Sequence, residues 1–166
     1  ISEIAGNTSI LIASEYLSNV NSGKGLMLGG IAGLSPTDVV IIGSGTVGEY
    51  ACRTALGLGC NVKVFDSSLS RLRRLHQHTQ RNVSTSLIQP KSLRKALKRA
   101  DVVIGALRSG DGRTPCVVSE TMVKDMKEGS VIVDVSIDHG GCFETSEVTT
   151  HKKPIFNKHG IVHYCV

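Results

Sequence analysis

Residues 43–48 read Gly43-Ser44-Gly45-Thr46-Val47-Gly48, the spacing G-x-G-x-x-G. The apolar β-branched run Val39-Val40-Ile41-Ile42 precedes it, and a helical pattern opens inside it. In that setting each glycine has a task. Gly43 permits a tight turn, Gly45 lets a diphosphate approach the backbone, and Gly48 lets the helix close on the strand. Free N–H groups and the dipole at the helix start favour an anion. A merely glycine-rich strand–helix turn is the plain alternative, and the next strand end weighs against it. Asp66 closes Val62-Lys63-Val64-Phe65-Asp66, 18 positions after Gly48. A carboxylate there accepts hydrogen bonds from the adenosine ribose and repels a 2′-phosphate, which favours NAD over NADP. A charge-assisted bond of about 1.5–3 kcal/mol sets the scale of that preference. Alternatively, Asp66 only caps the helix that follows. Arg71, Arg73 and Arg74 lie close enough in sequence to soften discrimination against NADP.

A third strand end carries Val131-Ile132-Val133-Asp134-Val135-Ser136-Ile137-Asp138-His139-Gly140-Gly141. Ligands of open α/β sheets sit beyond the carboxyl ends of strands, which puts Asp134 and Asp138 near the nicotinamide half of a cofactor. Either can instead be a turn-former bonding to its own backbone. His159, His163 and Cys165 invite a metal reading. Gly160-Ile161-Val162 reads as strand, however, which fixes no third or fourth ligand, so no metal is expected. Cys142 has no base partner visible in sequence.

The elements that position these residues follow from periodicity. Residues 2–20 form a helix, with Ser2 as cap and Ile10, Ala13, Leu17 and Val20 recurring on one face. Residues 21–37 are a loop. Strands at 39–42, 62–65, 83–88, 102–104 and 131–133 alternate with helices at 46–58, 68–78, 90–99 and 119–126. Val47, Ala51, Ala55 and Leu58 form the inner face of the first of these, and 155–157 with 161–164 add edge strands. The fold class is α/β, a Rossmann-type doubly wound parallel sheet with helices on both faces. Residues 1–22 read as a linking helix and 23–166 as the dinucleotide-binding domain.

Composition narrows the partners. The 166 residues hold 19 Lys and Arg against 14 Asp and Glu, with no Trp. No apolar run approaches the roughly 18 residues of a membrane span. Five Cys without a C-x-x-C pair read as reduced thiols of a cytoplasmic protein. Residues 63–99 carry ten Lys or Arg and a single acidic residue. Without interleaved aromatics or a recognisable binding module, solvated helix faces beside an anionic cofactor account for that run better than nucleic acid does. The absence of an initiating Met suggests a piece of something longer.

The chain resembles the alanine dehydrogenase family, NAD-dependent bacterial enzymes related to the proton-translocating transhydrogenase. The matching text is Ser2 to Gly6, Gly29 to Gly33, Val39 to Gly48, Ala100 to Ala106, and most specifically Gly129 to Ser146; Thr149-Thr150-His151 and His163 to Val166 extend it. The Cys142-Phe143-Glu144 segment is closer to alanine dehydrogenase than to the transhydrogenase subunit. The resemblance implies a cofactor-binding domain whose substrate-domain Arg, Lys and acid–base His lie upstream of Ile1, so that the fragment binds NAD without turnover. It implies that Ser2 contacts the cofactor near a hinge and that Gly45, Thr46, Val47 and Gly48 receive the diphosphate. Asp66 would take the ribose beside Arg71, Leu107 would contact the cofactor after the fourth strand, Ile137 would face the nicotinamide, and Asp138 would stand at the reaction centre. The implied reaction is reversible oxidative deamination of L-alanine to pyruvate and ammonia in a homo-oligomer, commonly a hexamer. A transhydrogenase-type or regulatory nucleotide-binding domain is the alternative. His139, Ile88 and the loop 108–113 depart from the family's usual Gln, Ser or Asn, and apolar loop.

Overall fold

Strand and helix alternate through residues 1–20, 23–79, 83–108 and 110–166, which are the residues described by a computed structural model. The helices are α1 (Ser2–Ser18), α2 (Thr46–Gly57), α3 (Leu69–His78), α4 (Pro90–Arg99) and α5 (Glu120–Lys124). The strands are β1 (Asp38–Ile42), β2 (Asn61–Asp66), β3 (Ser84–Leu87), β4 (Val102–Gly105), β5 (Val131–Asp134), β6 (Ile155–Lys158) and β7 (Ile161–Tyr164). They form one sheet in the order β3-β2-β1-β4-β5-β7-β6, parallel except for β6. The order reverses between β1 and β4, which opens a crevice at their carboxyl ends.

Strand side chains point alternately to opposite faces, so each apolar run divides between two cores. Val39, Ile41, Val64 and Ile104 pack with Ile10, Ala13 and Leu17 of α1, Ala51 and Ala55 of α2, and Leu72 and Leu75 of α3. Val40, Ile42, Phe65 and Ile132 pack with Leu93 and Leu97 of α4 and Val123 of α5. Burial on both faces is why these strands read as continuous apolar runs. It also sends α3 and α4 to opposite faces, so that the basic residues of α3 and those of α4 lie on two sides of the sheet.

Local chemistry sets the helix ends, with some departures from the sequence reading. Ser68 and Ser119 cap α3 and α5, accepting from the N–H groups of Arg71 and Met122. Pro90 opens α4, where its missing N–H costs nothing. Ser2 is not a cap: the helix is already wound there, and Ile1 holds the cap position without a side-chain bond. Val20 lies beyond α1 and is exposed. Leu58 is exposed too; Gly48, Ala51, Cys52 and Ala55 form the inner face of α2. α5 stops at Lys124, short of Met126.

Strand β7 is not an edge strand. It pairs with β5 on one side and β6 on the other. The turn His159-Gly160 has φ of 58° and 77°, the left-handed pair that a two-residue hairpin demands. That hairpin leaves β6 as the edge.

Asp101 fastens the amino end of the sheet. Its Oδ1 accepts from Lys24 Nζ at 2.8 Å and Lys127 Nζ at 3.0 Å, and Oδ2 accepts the Asp38 N–H at 2.9 Å. Burial alone would raise its pKa; the two ammonium groups and the backbone donor outweigh that and hold it below the usual carboxylate range. A depressed folded pKa contributes stability above the unfolded value of about 3.9, which is lost as pH falls through the folded one. Asp101→Asn should therefore cost about 2–4 kcal/mol at pH 7. In urea unfolding, the gap between variant and parent should narrow below about pH 4.

Candidate functional site

The glycine loop leaves β1 under two close approaches. Gly43 has φ of +111°, donates its N–H to the Phe65 carbonyl at 2.7 Å, and lies where a Cβ would overlap the Ala106 carbonyl. A Cβ on Gly48 would collide with the Gly43 carbonyl oxygen. These contacts press the first turn of α2 onto β1 and bring β4 alongside. Gly45, at the start of α2, differs: a Cβ there would meet no atom within 4 Å. No side chain caps α2. Open space beside uncapped N–H groups is the cradle an anion requires, so these residues fit the diphosphate of a dinucleotide.

Asp66 ends β2 beside this loop, with a side chain only 1% exposed. Oδ2 accepts from both the N–H and the hydroxyl of Ser44, each at 2.8 Å. Oδ1 accepts the Ser68 N–H at 2.8 Å and faces Arg71 Nη1 at 3.6 Å. Ser68, not Asp66, is the cap of α3; Asp66 bonds the cap residue's own N–H in the turn that leads into the helix. The acid also sits against the glycine loop through Ser44.

A cleft of about 210 Å³ opens at the carboxyl ends of β1 and β4. Ser2, Val47, Leu107, Asp138 and His139 line it, from α1, α2, the end of β4 and the 3-10 turn Val135–His139 after β5. Residues spread from position 2 to 139 therefore share one crevice. α1 reaches it by crossing α2 at Gly6, where a Cβ would overlap Tyr50 and the Val47 carbonyl. Ile137 is buried and is not among the residues that line the cleft. Arg108 also lines the cleft; Ser109 of the same loop lies outside the described residues. A larger groove of about 400 Å³, lined by Lys63, Lys95 and Arg99, starts at the amino ends of β1 and β2 and includes none of the glycine-loop residues.

The two carboxylates after β5 have separate roles. Asp134 is buried and accepts from Ser136 N–H and Oγ, Cys142 N–H, and Ser146 Oγ. Burial outweighs those donors and raises its pKa. It is the turn-former, tying the chain that follows β5 back to the strand. Asp138 is exposed in the cleft. Spacing alone could not separate the two; burial does.

The other reactive residue types are structural. Burial pushes the Cys142 thiol well above its ordinary pKa, with the nearby Asp134 charge adding to it, so it is no thiolate nucleophile. His163 is buried and stacked on Phe156. Its Nδ1 faces the Ile161 carbonyl at 2.8 Å, which makes Nδ1 the protonated nitrogen and Nε2 the acceptor from Thr145 Oγ1. His159 Nε2 lies 2.8 Å from Glu120 Oε1 instead of joining His163. No metal-holding group of three such side chains occurs among the described residues. None of their helices is long and apolar enough to cross a membrane.

Sequence reasoning missed Ser44. Only its place between Gly43 and Gly45 of the loop could have signalled it.

The family model described as "Alanine dehydrogenase/PNT, C-terminal domain" matches residues 9–166. An alanine dehydrogenase of Staphylococcus haemolyticus is 44% identical over the whole chain, which covers 45% of that relative. A solved L-alanine dehydrogenase superposes with a TM-score of 0.94 at 39% identity, over 99% of this chain and 46% of that one. A transhydrogenase from Sinorhizobium meliloti gives 0.78 at 20% identity, over 99% and 46%; that likeness shows the fold alone. The chain spans about half the length of the curated relatives it matches.

Two glycines give a clean contrast. Gly45→Ala should leave the melting temperature within about 2 °C, since its methyl enters open space, yet weaken dinucleotide binding at least about tenfold. Gly48→Ala should lose both stability and binding, by about 2–4 kcal/mol of unfolding free energy, through the clash with Gly43. Thermal melts and calorimetric titration read both.

Proposed function

The chain belongs to the alanine dehydrogenase/PNT family as its C-terminal domain, and on that premise we propose that it is the NAD(H)-binding domain of an alanine dehydrogenase. The whole enzyme would catalyse reversible oxidative deamination of L-alanine to pyruvate and ammonia. The observation that carries the proposal is the convergence of an uncapped α2, Ser2, Leu107 and Asp138 on one cleft at the sheet's switch point.

The fit of residues to cofactor is specific. The N–H groups of Thr46, Val47 and Gly48 face the diphosphate, and the space beside Gly45 admits it. Asp66 holds the adenosine ribose, with Arg71 beside it. Leu107 and Ser2 bound the cofactor cleft, and Ile137 supports its nicotinamide end from behind. When bound, NAD supplies the acceptor for hydride leaving the Cα of the amino acid. Asp138, reaching into the cleft as a carboxylate, holds the amine or ammonia by charge and hydrogen bonding. The acid–base and substrate-holding groups belong to a separate substrate domain. Residues 1–22 would link the two, and closing them over the cleft would exclude water. A cytoplasmic homo-oligomer, with NAD(H) and L-alanine or pyruvate as ligands, belongs to the same proposal.

Two expectations test it. NADH should bind this chain at least about tenfold more tightly than NADPH, and Asp66→Asn should shrink that ratio. In the complete enzyme, Asp138→Asn should lower kcat about 100-fold or more while changing NADH affinity less than about threefold. Unchanged turnover would remove Asp138 from the reaction. Equal affinity for NADH and NADPH in the parent chain would remove Asp66 from cofactor choice.

A further inference from the structure

We infer that the Ser44 hydroxyl occupies the position on Asp66 that an adenosine ribose needs, and that it swings aside when a dinucleotide binds. This rests on the ribose role proposed for Asp66. A carboxylate offers about four acceptor positions. Here the Ser44 N–H and hydroxyl take two on Oδ2, and the Ser68 N–H takes one on Oδ1. Arg71 faces the same Oδ1 at 3.6 Å, beyond hydrogen-bond length, from a side chain that is 47% exposed. At 1% exposure, Asp66 has almost no surface left for an incoming group.

A ribose that engages Asp66 through two hydroxyls needs two of those positions. One, on Oδ1, carries no hydrogen bond, and Arg71 can clear the space beside it by moving outward into solvent. The other must come from a donor now bonded. The N–H groups of Ser44 and Ser68 are main-chain donors, the first in the loop that the contacts at Gly43 and Gly48 fix in place and the second at the cap of α3. The Ser44 hydroxyl alone leaves by rotating one bond. Without ligand, it gives the buried carboxylate a third donor, which offsets part of the cost of its burial. With ligand, it is exchanged for a ribose hydroxyl of the same chemistry. Ser44 thus acts as a stand-in for the sugar and lowers affinity for every ligand that carries adenosine ribose.

Truncating this hydroxyl removes the competitor. Ser44→Ala should bind NADH and ADP-ribose about three- to tenfold more tightly than the parent chain by calorimetry. Nicotinamide mononucleotide, which lacks the adenosine ribose, should be unaffected. Unchanged or weaker NADH binding would overturn the inference, as would equal tightening of nicotinamide mononucleotide. Ser44→Gly repeats the test if the alanine variant folds poorly. A crystal structure of the unaltered chain with ADP-ribose needs no variant. There, Ser44 Oγ should lie beyond hydrogen-bond distance of Asp66 Oδ2, and a retained bond would refute the exchange. Asp66→Asn, run in parallel, separates the two claims. If it leaves the NADH-to-NADPH ratio unmoved, the ribose role itself fails. If the ratio moves while Ser44→Ala fails to tighten, only the exchange fails.

Discussion

The contact between Gly48 and the carbonyl of Gly43 governs the site. No side chain fits between them, so α2 lies directly on the end of β1. That approach aims the uncapped start of the helix at the crevice between β1 and β4. It also sets Val47 in the cleft wall, and through Gly6 it lets α1 cross close enough to bring Ser2 to the same place. A helix start held a carbon atom further away would bring none of these groups into register. The two-sided core supplies the rigidity: strands buried on both faces leave α2 little freedom to shift.

Two aspartates at strand ends and a third just beyond one show how surroundings divide one side-chain type into different uses. Asp134 is enclosed by four donors and serves the turn after β5. Asp138, four residues on, is carried round the same turn into the cleft, where it can meet a ligand. Asp66 lies between these cases, buried and bonded, yet against the glycine loop. The bonds within Asp134's turn are therefore a precondition for where Asp138 points. The Asp66 carboxylate, in turn, is bonded by Ser44 of the loop and by the Ser68 N–H before α3.

Much of this was legible in the sequence because it rests on local rules. The β-branched runs and glycine spacing specified the parallel sheet and the approach of α2. Ser68 and Ser119, the first residues of two helices read from the sequence, serve as their caps, because a hydroxyl at that offset meets a free N–H whatever lies beyond. What depended on distant packing was less legible. Leu58 follows the helical period yet falls past the end of α2, and Ser2 lies within a helix that had already begun. The interior place of β7 follows from a hairpin returning beside β5, a long-range pairing that no short window encodes. Asp134 and Asp138 could not be told apart by spacing, since only burial distinguishes them. The hydroxyl of Ser44 went unnoticed because its partner is 22 positions away.

The central claim is that the bare amino end of α2 receives a diphosphate. The most direct measurement follows backbone amide resonances of the isotope-labelled chain as NADH is added. The account predicts that Thr46, Val47 and Gly48 shift most, together with Ser44 and the residues beside Asp66 and Asp138. Largest shifts around Lys63, Lys95 and Arg99, with the glycine loop unmoved, would contradict it.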